Sequence, residues 1–206
     1  MLFHFCARQN AGFGGSASIF EDRDVFDAIL DVNLHGVINV TRAFRDALCA
    51  SDKGALVNTS SISSFHVNAG VAYSTSKFAV RGLTEGLIGD FAKHAPHITV
   101  HCVMPGYIAT DIGLYSTIAN YKIQHGGKPP RQELIERWTE ATKAFSENPL
   151  GLPQQDAAEI IVHGVEVGTH DRWLPVVALC RSPLSHRAAH SAQPTRCFPP
   201  CLVSVS

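Results

Sequence analysis

A chain of 206 residues is long enough for one domain with a substantial core and short for two. Apolar residues make up 45% and charged residues 17%, which excludes a disordered chain, and a net charge of −1 argues against a broad footprint for nucleic acid or an anionic membrane. No apolar run approaches the roughly 18 residues that a bilayer span needs, so neither partner is expected. The opening Met1–Arg8 does not read as a secretion leader, and the six cysteines (Cys6, Cys49, Cys102, Cys180, Cys197, Cys201) are scattered without a CxxC pair. Free thiols and a cytoplasmic location are the expectation.

In chain order, residues 2–7 read as a buried strand running into a glycine-rich loop, Asn10-Ala11-Gly12-Phe13-Gly14-Gly15. Asp22 or Asp24 caps a helix that starts near Val25. Its apolar stripe is predicted as Phe26, Leu30, Val37, Val40 and Phe44, flanked by Val25, Ile29 and Val32. Residues 54–58 form a short strand that turns abruptly polar and opens the hydroxyl-rich loop 59–64. A long helix follows from about Val71 to His94, then a strand over 98–103 closed by Pro105-Gly106. Residues 131–146 and 154–167 have helical periodicity, and 173–179 read as a last strand. Strands alternating with helices predict an α/β fold with a parallel sheet covered on both faces. Beyond Asp171 there is no acidic residue, and 181–206 read as a disordered, proline-rich tail. The predicted organisation is one domain over 1–180 and the tail over 181–206.

Tyr73 and Lys77 stand four apart and share a helix face, which continues as Val80, Thr84, Leu87 and Phe91. A lysine on a buried face near a helix N-terminus loses solvation and meets the positive end of the helix dipole. A surface lysine reaching past a core tyrosine explains the spacing equally well. The chemical alternative is sharper. A phenol titrates near 10, and a neighbouring ammonium favours its ionised form, which makes it a usable acid and base toward an alcohol or carbonyl oxygen. Ser60 and Ser61 end the preceding strand, where open α/β sheets place ligands, and a hydroxyl there can polarise the same oxygen. Asn33 lies in line with core positions and needs hydrogen-bond partners, which backbone, water or a water relay would supply. His94, His97 and His101 lack the tight pairing of a zinc site, so no metal is expected. Gly82, Gly86 and Gly89 weaken the long helix and point to close packing on the sheet or on a neighbouring helix.

Asn10-Ala11-Gly12, Asn33, Leu56-Val57-Asn58-Thr59-Ser60-Ser61, Tyr73-x-x-x-Lys77 and Pro105-Gly106-Tyr107-Ile108-Ala109-Thr110 occur in an order that resembles the short-chain dehydrogenase/reductase family, over about residues 2–170. The resemblance implies a partial Rossmann-like, doubly wound parallel sheet in a three-layer αβα sandwich. It implies an NAD- or NADP-dependent oxidoreductase acting on a small-molecule carbonyl or alcohol. In that frame Tyr73 is the acid and base, Lys77 holds the nicotinamide ribose and tunes Tyr73, Ser61 binds the substrate oxygen and Asn33 supports a relay water. Ser60 competes narrowly with Ser61, because the family commonly spaces its serine one residue further from the tyrosine. Pro105, Gly106, Ile108 and Thr110 would line the nicotinamide amide and phosphate side, and Asn10, Ala11 and Gly12 would brace the adenosine side. Helices 25–50 and 71–94 would form the usual homo-oligomer face.

The chain departs from the family in lacking the GxxxGxG turn, with its strand and helix, that takes the pyrophosphate. It starts at what would be the fourth strand, which leaves residues 2–7 as an open edge. Two function classes follow. One is a working dehydrogenase or reductase; the other is an inactive, truncated isoform that associates with full-length subunits. Residues 107–150, with Tyr115, Tyr121, Trp138 and Phe145, are expected on the substrate side.

Overall fold

The computed structural model describes residues 4–15, 17–20, 23–67, 69–147 and 151–166. The strand predicted over 173–179 and the tail 181–206 lie outside them. Three parallel strands, β1 (His4–Gln9), β2 (Lys53–Thr59) and β3 (Ile98–Val103), lie side by side in the order β1-β2-β3. Leu56 of β2 faces Ala7 of β1 on one side and Val100 of β3 on the other. Each crossover carries helix, as parallel pairing requires.

The crossover from β1 to β2 holds α1 (Arg23–Leu30), a π-helical turn over Asp31–His35 and α2 (Gly36–Cys49). The crossover from β2 to β3 is α3 (Val71–His94). One sheet face buries Ala7, Leu56, Ile98 and Val100 against Leu48 of α2 and Phe91 and Ala95 at the end of α3. The opposite face buries Ala55, Val57 and Val103 against Ala157 of the helix α6 (Gln154–Glu166), with Ile161 and Val165 beside it. Helices, sheet and helix thus form three layers, an α/β fold of Rossmann-like parallel topology. Coverage is uneven. On β1 the side chains alternate, Ala7 and Gln9 buried under α2 while Cys6 and Arg8 stay exposed, so the second face of this edge strand is open among the described residues.

Two features differ from the sequence expectation. The first is the buried face of the helix after the glycine loop. The buried residues are Val25, Ile29, Asn33, Val37, Thr41 and Leu48, whereas Val32, Val40 and Phe44 of the predicted stripes are exposed. Positions four apart drift by about 40° per step in an α-helix of 3.6 residues per turn. The π turn, in which Gly36 N–H donates to Asp31 C=O, underwinds the helix and keeps 25, 29, 33 and 37 in line. The second is α4 (Ile112–Gln124), a helix that the sequence reading had left within an undivided substrate-side stretch. It is followed by α5 (Gln132–Ser146), close to the predicted 131–146. Gly82, Gly86 and Gly89 face open space, so of the two packings expected of them the sheet is not the partner.

The two candidate faces give opposite results in denaturation. Ile29→Ala should cost roughly 2–5 kcal/mol of unfolding free energy, as a fully buried isoleucine does. Val40→Ala should stay within about 0.5 kcal/mol, the range of surface positions. Urea unfolding of the two variants checks the assignment, and a cost for Val40→Ala equal to that for Ile29→Ala would restore the wide predicted face.

Candidate active site

The C-terminal ends of all three strands meet at one edge of the sheet, the position where open α/β sheets bind ligands. β1 opens into the Asn10–Gly15 loop, β2 into Ser60–Ser64 and β3 into Met104–Thr110. The last two loops are stitched together: Ser60 N–H donates to Val103 C=O at 2.7 Å and Ile62 N–H to Pro105 C=O at 2.9 Å.

α3 passes beneath these loops and presents Tyr73 and Lys77 to them. Lys77 is buried, 6% exposed, and its Nζ donates to Thr59 C=O at 3.0 Å. Ser60 Oγ returns a bond to Lys77 C=O at 2.7 Å, so the strand end and the helix hold each other at two points. This separates the two serines. The Ser60 hydroxyl is committed to the α3 backbone, whereas Ser61 Oγ hydrogen-bonds the Tyr73 phenol and also accepts from Ser63 N–H at 3.1 Å. The Ser61 backbone is fully extended, which turns its side chain out of the β2 line toward α3. Arg81, one turn beyond Lys77, donates to Ser64 C=O at 3.1 Å and lies 4.3 Å over the Phe65 ring, holding the far end of the serine loop.

Asn33 is 1% exposed and spans the gap between the π turn, the glycine loop and α3. Its Oδ1 accepts from Phe13 N–H at 3.0 Å, while Nδ2 donates to Phe13 C=O at 3.0 Å and Ser76 Oγ at 3.1 Å. Both amide donors are used and one acceptor lone pair remains. Gly12 lies against this group. A Cβ there would sit 3.0 Å from Asn33 Oδ1 and 3.6 Å from Lys77 Nζ, so the loop comes this close to both side chains only because residue 12 has none. Asn10 and Ala11 stand exposed at the end of β1, and Pro105, Gly106, Ile108 and Thr110 are half-buried on the loop after β3. Ile108 pairs in parallel with Leu152, and Ala109 N–H donates to Leu152 C=O at 3.0 Å, which fixes that loop against the segment leading into α6.

The electrostatics depart from the simple picture of an ammonium lowering a phenol. Burial pushes the Tyr73 phenol up from its ordinary value, and the Ser61 hydrogen bond only partly opposes this. Burial also brings the Lys77 ammonium down, to about 8. The reason is geometric. Lys77 Nζ stands 5.7 Å from the Tyr73 ring centroid and is directed to the Thr59 carbonyl, so desolvation dominates both groups. Lys77 has three donor protons and one named acceptor, which leaves buried donor capacity suited to a vicinal diol such as a ribose. Beneath it, Cys102 bonds Thr84 and its thiol is pushed up to about 11 by burial.

Sequence reasoning missed the residues that approach from α4. Ser116 Oγ accepts from Gly14 N–H at 2.9 Å and Asn120 Nδ2 donates to Gly14 C=O at 3.0 Å. The one available signal was the i, i+4 polar spacing of Ser116 and Asn120 ahead of Ile123. Among the described residues no three His, Cys, Asp or Glu side chains come together, and His94 and His97 are exposed while His101 is buried beside Thr99. No helix among them is long and apolar enough to cross a membrane.

The chain belongs to the short-chain dehydrogenase family, whose model matches residues 8–117. It is 34% identical over 163 residues to SadH of Mycobacterium tuberculosis, described as an oxidoreductase, covering 77% of this chain and 53% of that protein. It is 39% identical over 108 residues to galactitol 2-dehydrogenase of Rhizobium johnstonii, covering 49% and 40%. The chain thus spans about half the length of the curated relatives it matches. Among solved structures, a short-chain dehydrogenase/reductase of Burkholderia phymatum in complex with NAD has the same fold, with a TM-score of 0.67 and 19% identity over 84% of this chain and 60% of that one. Aldohexose dehydrogenase of Thermoplasma acidophilum is similar at a TM-score of 0.59 and 22% identity, over 84% and 66%.

The depressed lysine has a measurable signature. Folded Lys77 releases its proton near pH 8, below the 10.5 of the free side chain, so between those values the unfolded chain binds more protons and this group makes stability rise with pH. Lys77→Met removes the effect. The unfolding free energy of the variant minus wild type should therefore fall, on the order of 3 kcal/mol, between pH 7.5 and 10.5 in urea titrations. A difference that stays flat with pH would show that the ammonium is solvated.

Proposed function

We propose that this chain carries the acid–base half of an NAD- or NADP-dependent oxidoreductase acting on a small-molecule carbonyl or alcohol. The observation that carries the reading is the Ser61–Tyr73 hydrogen bond above a buried Lys77 whose remaining donors are free to take a ribose diol. Tyr73 and Lys77, with Asn10, Ala11, Gly12, Pro105, Gly106, Ile108 and Thr110, would line the cofactor. A nicotinamide bound there supplies or accepts the hydride. The loop that ends at Thr110 would stand on the cofactor's phosphate side, and the GxxxGxG turn that would complete the pyrophosphate seat does not occur in this sequence.

In the direction of reduction, Tyr73 Oη gives its proton to the substrate's carbonyl oxygen while Ser61 Oγ donates a hydrogen bond to the same atom. Burial favours the protonated phenol, which is the form that donates. Lys77 would steady the phenolate left behind through the ribose diol it holds, since its Nζ stands 5.7 Å from the ring centroid. Asn33, with one lone pair open, can accept a hydrogen bond from a water on the Lys77 side and so hold the return path of the proton. The reverse sequence oxidises an alcohol. The same reading includes a cytoplasmic setting, for which the scattered free thiols are the support. It also includes a homo-oligomer through residues 25–50 and 71–94, where Val32, Val40, Phe44 and Phe78 are exposed and Gly82, Gly86 and Gly89 leave room for a close helix.

Fluorescence titration of the folded chain with NADH and NADPH tests the cofactor half, and saturable binding at micromolar concentration is expected. Tyr73→Phe should leave that binding unchanged and lower turnover by about 10²–10⁴-fold, the usual worth of a positioned general acid. Folded protein that binds neither nucleotide would move the assignment to a subunit that associates with full-length partners and does not turn over.

A further inference from the structure

α4 bonds the glycine loop at one residue and packs against the next. Gly14 spends both backbone polar groups on it, the N–H on Ser116 Oγ at 2.9 Å and the C=O on Asn120 Nδ2 at 3.0 Å. Ser116 and Asn120 stand at i and i+4, so a single helix face makes both bonds. Ile123, three residues on, packs against Ala17, Val25, Ile29 and Ala72. The seat of α4 is therefore apolar at its C-terminal end and polar nearer its N-terminus. It is also tight. A Cβ on Gly15 would lie 2.8 Å from Asn120 Nδ2 and 3.0 Å from Ile29 Cδ1, and a Cβ on Gly14 would lie 3.7 Å from Tyr73 Cδ2.

We propose that Ser116 and Asn120 are positioning residues: by clamping Gly14 they hold α4 against the loop that borders Tyr73 and so fix the width of the substrate space on that side. The assignment to substrate rests on the function proposed above; the clamp itself does not. Gly14 carries both clamp bonds, and a Cβ on it would lie 3.7 Å from Tyr73 Cδ2, so a change at 116 or 120 reaches the phenol through one backbone unit. The apolar Ile123 anchor keeps α4 docked when the polar bonds are lost, which limits the effect to position. α5 contacts α4 at other residues, where Gly113 meets Thr142 and Tyr121 meets Trp138.

Hydrogen exchange of the purified chain, read on peptides covering residues 10–15 and 112–124, tests the clamp. Ser116→Ala, Asn120→Asp and the wedge Gly15→Ala should each speed exchange in both peptides by about tenfold, close to the net worth of one hydrogen bond, with β2 and β3 unchanged. Ser116→Thr keeps the hydroxyl and should keep the protection. Unchanged exchange in Ser116→Ala and Asn120→Asp, or loss of protection in Ser116→Thr equal to that in Ser116→Ala, would overturn the proposal. The substrate side is read with 9,10-phenanthrenequinone as carbonyl probe and NADPH or NADH as reductant. Ser116→Ala and Asn120→Asp should raise KM about tenfold and change kcat far less, the mark of lost positioning. A fall in kcat at constant KM would overturn the positioning role. A wild-type chain that shows the protected clamp and no turnover would count against the function proposed above and leave the clamp standing.

Discussion

An ammonium kept under the Thr59 carbonyl has given up most of its hydration, and the surrounding structure must hold it there. Lys77 is held because Ser60 at the strand end bonds the lysine's own carbonyl while the lysine bonds the carbonyl of Thr59. That reciprocal pair fixes the height of α3 against β2. With α3 placed, Tyr73 meets Ser61, Ser76 meets Asn33, and Arg81 takes the end of the serine loop. The glycine loop is then confined between Asn33 and α4. The candidate site is thus less a set of independent side chains than one helix held at a set depth, with three loops tied to it.

Much of this was legible in the amino-acid sequence. The three strands and α3 announced themselves by apolar runs and by the Tyr73, Lys77, Val80, Thr84 and Phe91 face, and the structure buries that face as the spacing requires. The bulk of the helix between β1 and β2 was also plain, but its orientation was not. A sum over 3.6-residue turns cannot see a π turn, which depends on Asn33 finding Phe13 and Ser76 in the folded state. Ser61 stood only narrowly ahead of Ser60 for a similar reason. They differ only in what the end of β2 brings near each, an α3 carbonyl for one and a phenol for the other. α4 was missed because its inward face is mostly small and polar, with Ser116 and Asn120 in positions where an apolar stripe would have drawn attention.

The opposed shifts of Tyr73 and Lys77 carry a physical message about the pair. Each group is driven toward its neutral form by the same loss of water, and the contact that would favour the charged forms is not made at the distance they stand. A polar diol between them would restore that missing solvation to Lys77 and carry its charge toward the phenol. In the function proposed here, the tyrosine and lysine four residues apart form a device whose halves are unfavourable alone and favourable together.

The π turn at Asp31–His35 has a consequence for which changes the helix can absorb. It holds one residue more than an α-helical turn would, and absorbs that surplus with α1 and α2 in phase. Substitutions on its outer side, at Asp31, Val32 or His35, leave the count intact. Removing one residue there would let the turn close to an ordinary α-helix with α1 and α2 still in phase, because the surplus residue is the one lost. Val25 and Ile29 would keep their places in the core, while Asn33 would lose the bulge that directs its amide at Phe13 and Ser76. A one-residue gap in an alignment of relatives is therefore absorbed at this turn, whereas elsewhere along the helix it would rotate one half against the other by about 100°.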